Sequence, residues 1–167
     1  MEKSFKPLRA LFVGFGNVGQ KVAEILFVER DQHPGVHSLD LSVVGIITKS
    51  RGSLVNHNGV DVVKGLQEIR DGGRFSWTNF ELTNLNGIDA VCQLDYDVLI
   101  ELSTLSIAER GEPALTHVRE ALKRGRHVVT ANKAPAAFAP FHPAANRRST
   151  SVAFCRETHF SSHSAPG

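Results

Sequence analysis

A short apolar segment that runs into three closely spaced glycines constrains this chain more than any other feature. Residues 8–13 are Leu-Arg-Ala-Leu-Phe-Val, and Gly14, Phe15, Gly16, Asn17, Val18 and Gly19 follow at once. Apolar residues then recur at helical spacing, at Val18, Val22, Ile25 and Leu26. In such a strand-turn-helix unit the first glycine allows a tight turn, the second lets backbone N–H groups approach a pyrophosphate, and the third lets the helix pack on the strand. The pattern predicts a dinucleotide site at the N-terminus of that helix, with a tight turn that binds nothing as the alternative.

Strands and helices alternate along most of the chain. The predicted elements are a strand before Gly14, a helix over residues 17–30, a turn at Pro34-Gly35, a strand over 41–48, a helix over 61–70, a strand over 97–102, a helix from Pro113 to a stop at Gly125, and a strand over 126–130. Residues 77–95 give an ambiguous pattern. This alternation predicts an α/β fold with a doubly wound, mostly parallel sheet of the Rossmann type.

The periodic pattern fades beyond Ala139. We therefore expect a domain over residues 1–139 and a tail over 140–167 that is loosely packed or aberrant in origin, for example from a shifted reading frame or a truncated gene. His159 and His163 in this tail stand four residues apart, but a third ligand is not evident, so we predict solvated histidines and no metal site.

Charge and composition exclude several classes of protein. The formal net charge is +2, and no basic run is interleaved with aromatic residues, so we expect no nucleic-acid partner. No apolar run reaches membrane-spanning length, which predicts no membrane partner. Gly14 and Gly16 interrupt any signal-peptide core. The two cysteines, Cys92 and Cys155, are too few to form the disulfides that would stabilise a secreted domain. We therefore expect a cytoplasmic protein.

The end of the second predicted strand bears on the choice of cofactor. An acidic residue at this position would hold the ribose 2′-hydroxyl of NAD, but the sequence here is Thr48-Lys49-Ser50-Arg51. Asp40 precedes the strand and should lie at the opposite edge of the sheet. Lys49 and Arg51, with Ser50 as a hydrogen-bond partner, would attract a 2′-phosphate, which favours NADP over NAD. The alternative is that both cations are solvated loop residues.

The strand over residues 97–102 ends in two hydroxyl side chains, Ser103 and Thr104, at the edge where a parallel sheet places its ligand-binding loops. Glu101 lies within the apolar part of this strand. It either orients a neighbouring loop or is a partly exposed strand carboxylate, and Asp97 leaves the same two alternatives open.

Two segments together carry a family resemblance. Leu11 to Gly19 and the run Val128-Val129-Thr130-Ala131-Asn132-Lys133 resemble homoserine dehydrogenase, over roughly residues 8–139. The more specific part is Arg126 to Pro135, following Gly111-Glu112-Pro113-Ala114-Leu115. The resemblance implies NAD(P)-dependent interconversion of homoserine and aspartate semialdehyde, a step towards threonine and methionine.

The resemblance also implies roles for particular residues. Residues 15–18 would cradle the pyrophosphate, Ser103 and Thr104 would lie near the nicotinamide half, and Lys133 would lie where cofactor and substrate meet, as the catalytic residue. A cation at a strand tip can stabilise an oxygen that gains negative charge as hydride moves, and proton transfer is open to it if its pKa is lowered. The alternative for Lys133 is a surface lysine after a strand.

Members of the family continue after this motif into a larger portion that supplies the substrate pocket and dimer contacts, and no such portion is recognisable here. We therefore expect a domain that holds NADP or NAD but does not turn over homoserine alone. The alternatives are a non-catalytic dinucleotide-binding module, a subunit that pairs with a partner chain or as a homo-oligomer, and a dehydrogenase acting on another small amino acid.

Overall fold

A computed structural model of the chain describes residues 6–76, 81–82, 85–104, 106, 108–132 and 152–154. The strands in these ranges are β1 (Leu8–Val13), β2 (Leu41–Ile47), β3 (Leu54–Val55), β4 (Glu81–Leu82), β5 (Val98–Glu101), β6 (His127–Thr130) and β7 (Val152–Phe154). The helices are α1 (Asn17–Phe27), α2 (Pro34–His37), α3 (Val62–Gly72), α4 (Gly87–Gln93) and α5 (Ala114–Lys123), with a 3₁₀ turn at Arg30–Gln32.

The described strands form one sheet in the order β4-β3-β2-β1-β5-β6-β7. Neighbouring strands from β2 through β1, β5 and β6 to β7 run parallel, whereas β3 pairs antiparallel with β2 and β4 antiparallel with β3. The strand order reverses direction at β1, so a crevice opens between the loops that follow β1 and β5. The predicted doubly wound, mostly parallel α/β fold is confirmed.

Alternate residues of β1 contribute side chains to two hydrophobic cores, which lie on opposite faces of the sheet. Ala10 and Phe12 belong to a core that includes Ala23 of α1 and Leu66 of α3. Leu11 and Val13 of β1 belong to the other core, together with Ala90 of α4 and with Val118 and Ala121 of α5. Because both faces are covered by helices, the central strands are almost continuously apolar, as parallel strands require.

Most predicted elements differ from the observed ones only at their ends. The first helix ends at Phe27 rather than at residue 30, because a separate 3₁₀ turn follows it. Pro34 and Gly35 lie in the short helix α2 rather than in a simple turn, with Pro34 at its first position. The side chain of Asp61 caps α3 by accepting a hydrogen bond from the N–H of Lys64 at 3.0 Å, and α3 runs on to Gly72.

Two parts of the chain hold elements that the sequence does not predict. The ambiguous residues 77–95 contain β4 and α4. In the predicted tail, Val152–Phe154 pairs in parallel with β6; the rest of residues 140–167, including His159, His163 and Cys155, lies outside the described residues, and the domain boundary at 139 stays a prediction. Among the described helices, none has the length and apolar character needed to cross a bilayer.

Candidate dinucleotide-binding site

One cleft runs along the carboxyl edge of the sheet, where β1, β2 and β5 end. Its walls include the glycine turn after β1, residues 48–53 after β2 and residues 102–104 after β5. Arg74 and His117 line it as well. The cleft therefore collects three of the segments that the sequence analysis singles out, from positions far apart in the chain.

The first glycine of the turn is fixed by both backbone conformation and space. Gly14 has a φ of +96°, a region that residues with a side chain rarely adopt. A Cβ atom added at Gly14 would lie 2.4 Å from the carbonyl carbon and oxygen of Leu102. Glycine is therefore required for the loop after β1 to lie against the loop after β5.

The second and third glycines have different surroundings. A Cβ atom at Gly16 would meet no atom within 4 Å, so this position opens onto the cleft. At Gly19 it would lie 2.8 Å from the carbonyl oxygen of Gly14, which shows how closely the first turn of α1 packs on the strand. The tight turn at Gly14 and the close packing of helix on strand at Gly19 are therefore both observed, and the open space at Gly16 leaves room for a pyrophosphate to approach.

The start of α1 is suited to an anion. Gly16 is the N-cap residue, and no side chain caps the helix and no acidic residue occupies its first turn. Asn17 and Val18 are exposed there. Unpaired backbone N–H groups and the positive end of the helix dipole therefore face the cleft without a carboxylate to compete with a phosphate.

Phe15 contributes to this turn by its backbone. The whole residue is 2% exposed, and its ring lies 6.2 Å from that of Phe12 and 5.7 Å from that of Phe75. The side chain of Phe15 is therefore packed inside the protein and not available to a ligand. The same packing holds the segment around Phe75 beside the glycine turn.

Three cations surround the end of β2. Lys49 and Arg51 are there as the sequence indicates, and Arg74 is a third that it does not. Arg74 is brought in because the N–H of Phe75 donates to the carbonyl oxygen of Arg51 at 2.9 Å. Within the described ranges none of the three makes an ion pair.

The loop that carries these cations is braced from within. The N–H of Arg51 and the hydroxyl of Thr48 form a hydrogen bond at 2.9 Å, and the same hydroxyl donates to the carbonyl oxygen of Gly52 at 2.5 Å. The hydroxyl of Ser53 accepts from the N–H of Thr48 at 3.1 Å. Asp40 lies at the other edge, where its carbonyl oxygen accepts from the N–H of Leu8 at 2.8 Å, as expected.

A buried carboxylate lies behind the loop that follows β5. Glu101 has no exposed surface, and its Oε1 accepts from the N–H of Ser103 at 3.2 Å and from the Ser103 hydroxyl. Nδ1 of His117 lies 3.5 Å from the same oxygen, and the hydroxyl of Thr130 donates to Oε2 at 3.4 Å. Of the two alternatives left open for Glu101, the structure shows the loop-orienting one.

These contacts close into a ring that joins the ends of β5 and β6. The N–H of Asn132 donates to the Thr130 hydroxyl at 3.0 Å, and the Asn132 amide donates to the carbonyl oxygen of Ser103 at 3.4 Å. We call the four residues Glu101, Ser103, Asn132 and Thr130 the carboxylate ring. Ser103 faces the cleft, and Thr104 beside it is exposed at the cleft wall.

Lys133, the predicted catalytic residue, lies outside the described residues, so its role stays a prediction. The structure adds His117, Thr130, Asn132 and Arg74 to the neighbourhood of the cleft. The sequence analysis does not single out His117, because the apolar stripe dominates the pattern of its helix. The position of this histidine on the buried side of the helix is the signal that could have indicated it.

Among the described residues, no group of His, Cys, Asp and Glu could hold a metal ion.

Comparison with known proteins agrees with this geometry. Residues 14–146 match the model of the family described as "Homoserine dehydrogenase, NAD binding domain". The chain belongs to this family. The match begins at the first glycine of the turn and runs past Lys133. The predictions of the family resemblance and of a domain that binds NAD or NADP are confirmed.

Individual homoserine dehydrogenases give the same result. The enzyme of Methanocaldococcus jannaschii is 34% identical over 127 residues, which are 76% of this chain and 37% of that protein. The NAD(+)-dependent homoserine dehydrogenase of Pseudomonas canavaninivorans is 29% identical over 150 residues, or 85% of this chain and 40% of that protein. A solved structure of a hyperthermophilic archaeal homoserine dehydrogenase mutant in complex with NADPH superimposes with a TM-score of 0.64 at 25% identity, covering 80% of this chain and 38% of that one. The chain thus spans about two fifths of the relatives it matches.

Proposed function

We propose that this chain binds NADPH in the cleft, with the pyrophosphate at the start of α1 and the 2′-phosphate between Lys49, Arg51 and Arg74. The observation that carries the proposal is the group of three cations at the end of β2, which lack ion-pair partners in the described part of the chain. A 2′-phosphate supplies two negative charges and several acceptor oxygens, which guanidinium groups bind through charge-assisted hydrogen bonds. Ser50 adds a hydroxyl at the same place.

The chemistry proposed for the complete site is that of a homoserine dehydrogenase. A bound nicotinamide would supply or accept the hydride that interconverts homoserine and aspartate semialdehyde, on the way to threonine and methionine. Ser103 and Thr104 would orient the nicotinamide half, and Lys133 would stabilise the substrate oxygen as its negative charge grows. We keep a cytoplasmic location as part of this proposal.

Titration with NADPH and NADH tests the proposed cofactor preference. Replacing Lys49, Arg51 and Arg74 together by Ala should weaken NADPH binding by about a hundredfold, since charge-assisted contacts contribute about 1.5–3 kcal/mol each before losses from exposure. NADH binding should change by less than about threefold, because it lacks the 2′-phosphate. Arg119→Ala is the matched control, because Arg119 is an exposed cation of α5 outside the cleft walls. Equal loss for both cofactors would contradict the 2′-phosphate assignment.

A second candidate function is a non-catalytic dinucleotide-binding module, or a subunit that needs a partner chain. It is supported by the described cleft, where the glycine turn, the three cations and Ser103 are all groups that suit the dinucleotide. An assay of homoserine oxidation with the purified chain separates the two functions. Turnover by the chain alone would rule out the non-catalytic module, whereas cofactor binding without turnover would favour it.

A further inference from the structure

We propose that Glu101 is a positioning residue for the nicotinamide end of the cleft, acting through Ser103. It would fix the direction in which the Ser103 hydroxyl donates its hydrogen bond. This inference rests on the proposed cofactor binding and deepens it, because it states how the protein presents one polar group to the ligand.

The first step of the argument concerns the polarity of the buried carboxylate. A backbone N–H can only donate a hydrogen bond, so Oε1 of Glu101 is an acceptor towards Ser103. The Ser103 N–H and hydroxyl both donate to it, and the Thr130 hydroxyl donates to the other oxygen. The hydrogen atom of the Ser103 hydroxyl is therefore directed away from the cleft.

What remains at Ser103 is an acceptor. Ser103 lines the cleft, and both its N–H and its hydroxyl hydrogen are used by Glu101, so its hydroxyl oxygen can only accept a hydrogen bond from a ligand there. The group that fits this surface is a hydrogen-bond donor on the ligand. The carboxamide NH₂ of nicotinamide is a donor of this class, whereas the phosphates and the adenine-proximal ribose belong to the other end of the cleft.

The second step concerns rigidity. Because the carboxylate ring closes through Asn132 and Thr130, the loops after β5 and β6 are held at a fixed separation. His117 packs against the ring from α5 with 3% of its surface exposed. His117 also packs closely against Gly87 of α4, since a Cβ atom added at Gly87 would lie 2.5 Å from Nε2 of His117. The acceptor at Ser103 is thus placed before any ligand arrives, which lowers the entropic cost of binding.

The test compares a full dinucleotide with the same molecule lacking nicotinamide. Glu101→Gln keeps the shape but puts a donor NH₂ in place of one accepting oxygen. Isothermal titration with NADPH should show affinity about tenfold weaker, or about 1.4 kcal/mol, while 2′-phospho-ADP-ribose should bind as it does to the unchanged protein. If the unchanged chain prefers NADH to NADPH, the two ligands to compare are NADH and ADP-ribose.

Two further variants separate positioning from simple loss of stability. Ser103→Ala removes the acceptor at the cleft wall, while Glu101 keeps its hydrogen bonds from the Ser103 N–H and the Thr130 hydroxyl. It should give the same ligand-specific loss. Tyr96→Phe is the matched control. It removes a buried hydrogen bond from the Tyr96 hydroxyl to the carbonyl oxygen of Val91, at the amino edge of β5, and both affinities should stay unchanged.

The outcomes distinguish the inference from the function on which it rests. Equal weakening of both ligands by Glu101→Gln, or no weakening, would overturn the inference. If Glu101→Gln fails to fold, unchanged NADPH affinity in Ser103→Ala overturns it instead. A wild-type chain that binds neither dinucleotide overturns the proposed function and this inference with it, whereas normal wild-type binding without a ligand-specific loss overturns the inference alone.

Discussion

At the scale of single residues, three glycines that look equivalent in the sequence meet different physical demands. Gly14 combines a positive φ with a close approach to Leu102. Gly16 has a φ of −76° and ψ of −160°, which any residue adopts, and open space where its side chain would be. The conformation of the turn therefore requires the first glycine, whereas the fold places no such demand on the second.

Replacing Gly14 by Ala should lower the free energy of unfolding by about 3 kcal/mol or more, because strained backbone and a steric clash add together. Urea denaturation followed by circular dichroism measures the change. Gly16→Ala is the matched control and should stay within about 1 kcal/mol of the original stability, while its affinity for dinucleotide falls because the methyl group occupies the approach to the helix N-terminus. A Gly14→Ala protein as stable as the original would show that the turn relaxes freely.

At the scale of elements, a cluster of charges ties together the starts of three strands at the amino edge of the sheet. Arg9 of β1 and Arg126, just before β6, both pair with Asp95, which precedes β5, and the Arg126 bond is 3.1 Å long. Arg9, and then Arg126, hold the pKa of Asp95 below its usual value of 3.8. The cluster therefore contributes stability only while Asp95 is ionised.

The sign of its pH dependence follows from linkage. A carboxylate whose pKa is lower in the folded than in the unfolded state stabilises the fold above the unfolded pKa, and this contribution is lost as the pH falls through the folded value. Asp95 is largely exposed, so Asp95→Asn should cost at most about 1 kcal/mol at pH 6. The cost should shrink as the pH falls below about 4, and also in about 1 M NaCl. Urea denaturation across this pH range measures it, and a cost that grows towards acid would contradict the argument.

The elements also show which signals the sequence carries and which it does not. The strand before Gly14 and the helix ending near Gly125 are predictable because a long apolar pattern meets a strong stop signal. β4 and α4 are not predicted from the sequence because they are two and seven residues long, which is too short for a periodic apolar pattern to be recognised. Likewise, Lys49 and Arg51 can be predicted to lie at the cleft because they follow a strand. Arg74 reaches the cleft only through the hydrogen bond between Phe75 and Arg51, a tertiary contact with no local signature.

At the scale of the whole molecule, the site depends on the sheet as a unit. The glycine turn, the cationic loop and the carboxylate ring follow different strands and meet because those strands run parallel and end at one edge. A ligand that spans this edge would contact the loops after three of the described strands, β1, β2 and β5. Binding should therefore stabilise the folded chain as a whole rather than a single loop.

A thermal unfolding experiment tests this coupling. With NADPH at 100 times its dissociation constant, linkage predicts a gain of about 2.7 kcal/mol. For a chain of this size that gain corresponds to a rise in Tm of about 5–10 °C. Calorimetric scans with and without NADPH measure it, with AMP as a control that lacks the pyrophosphate. A Tm that does not move under saturating cofactor would contradict a site that spans the sheet.

The last described strand has a consequence for how the chain can be shortened. Val152–Phe154 returns to the sheet and satisfies the outer backbone groups of β6, although it follows the preceding strand by more than twenty residues. Cutting the chain between them would leave a row of unpaired amides and carbonyls beside Val129, which is exposed. An unpaired edge strand of this kind can pair with strands of other molecules. The shortened protein would therefore be prone to self-association even with its cleft intact.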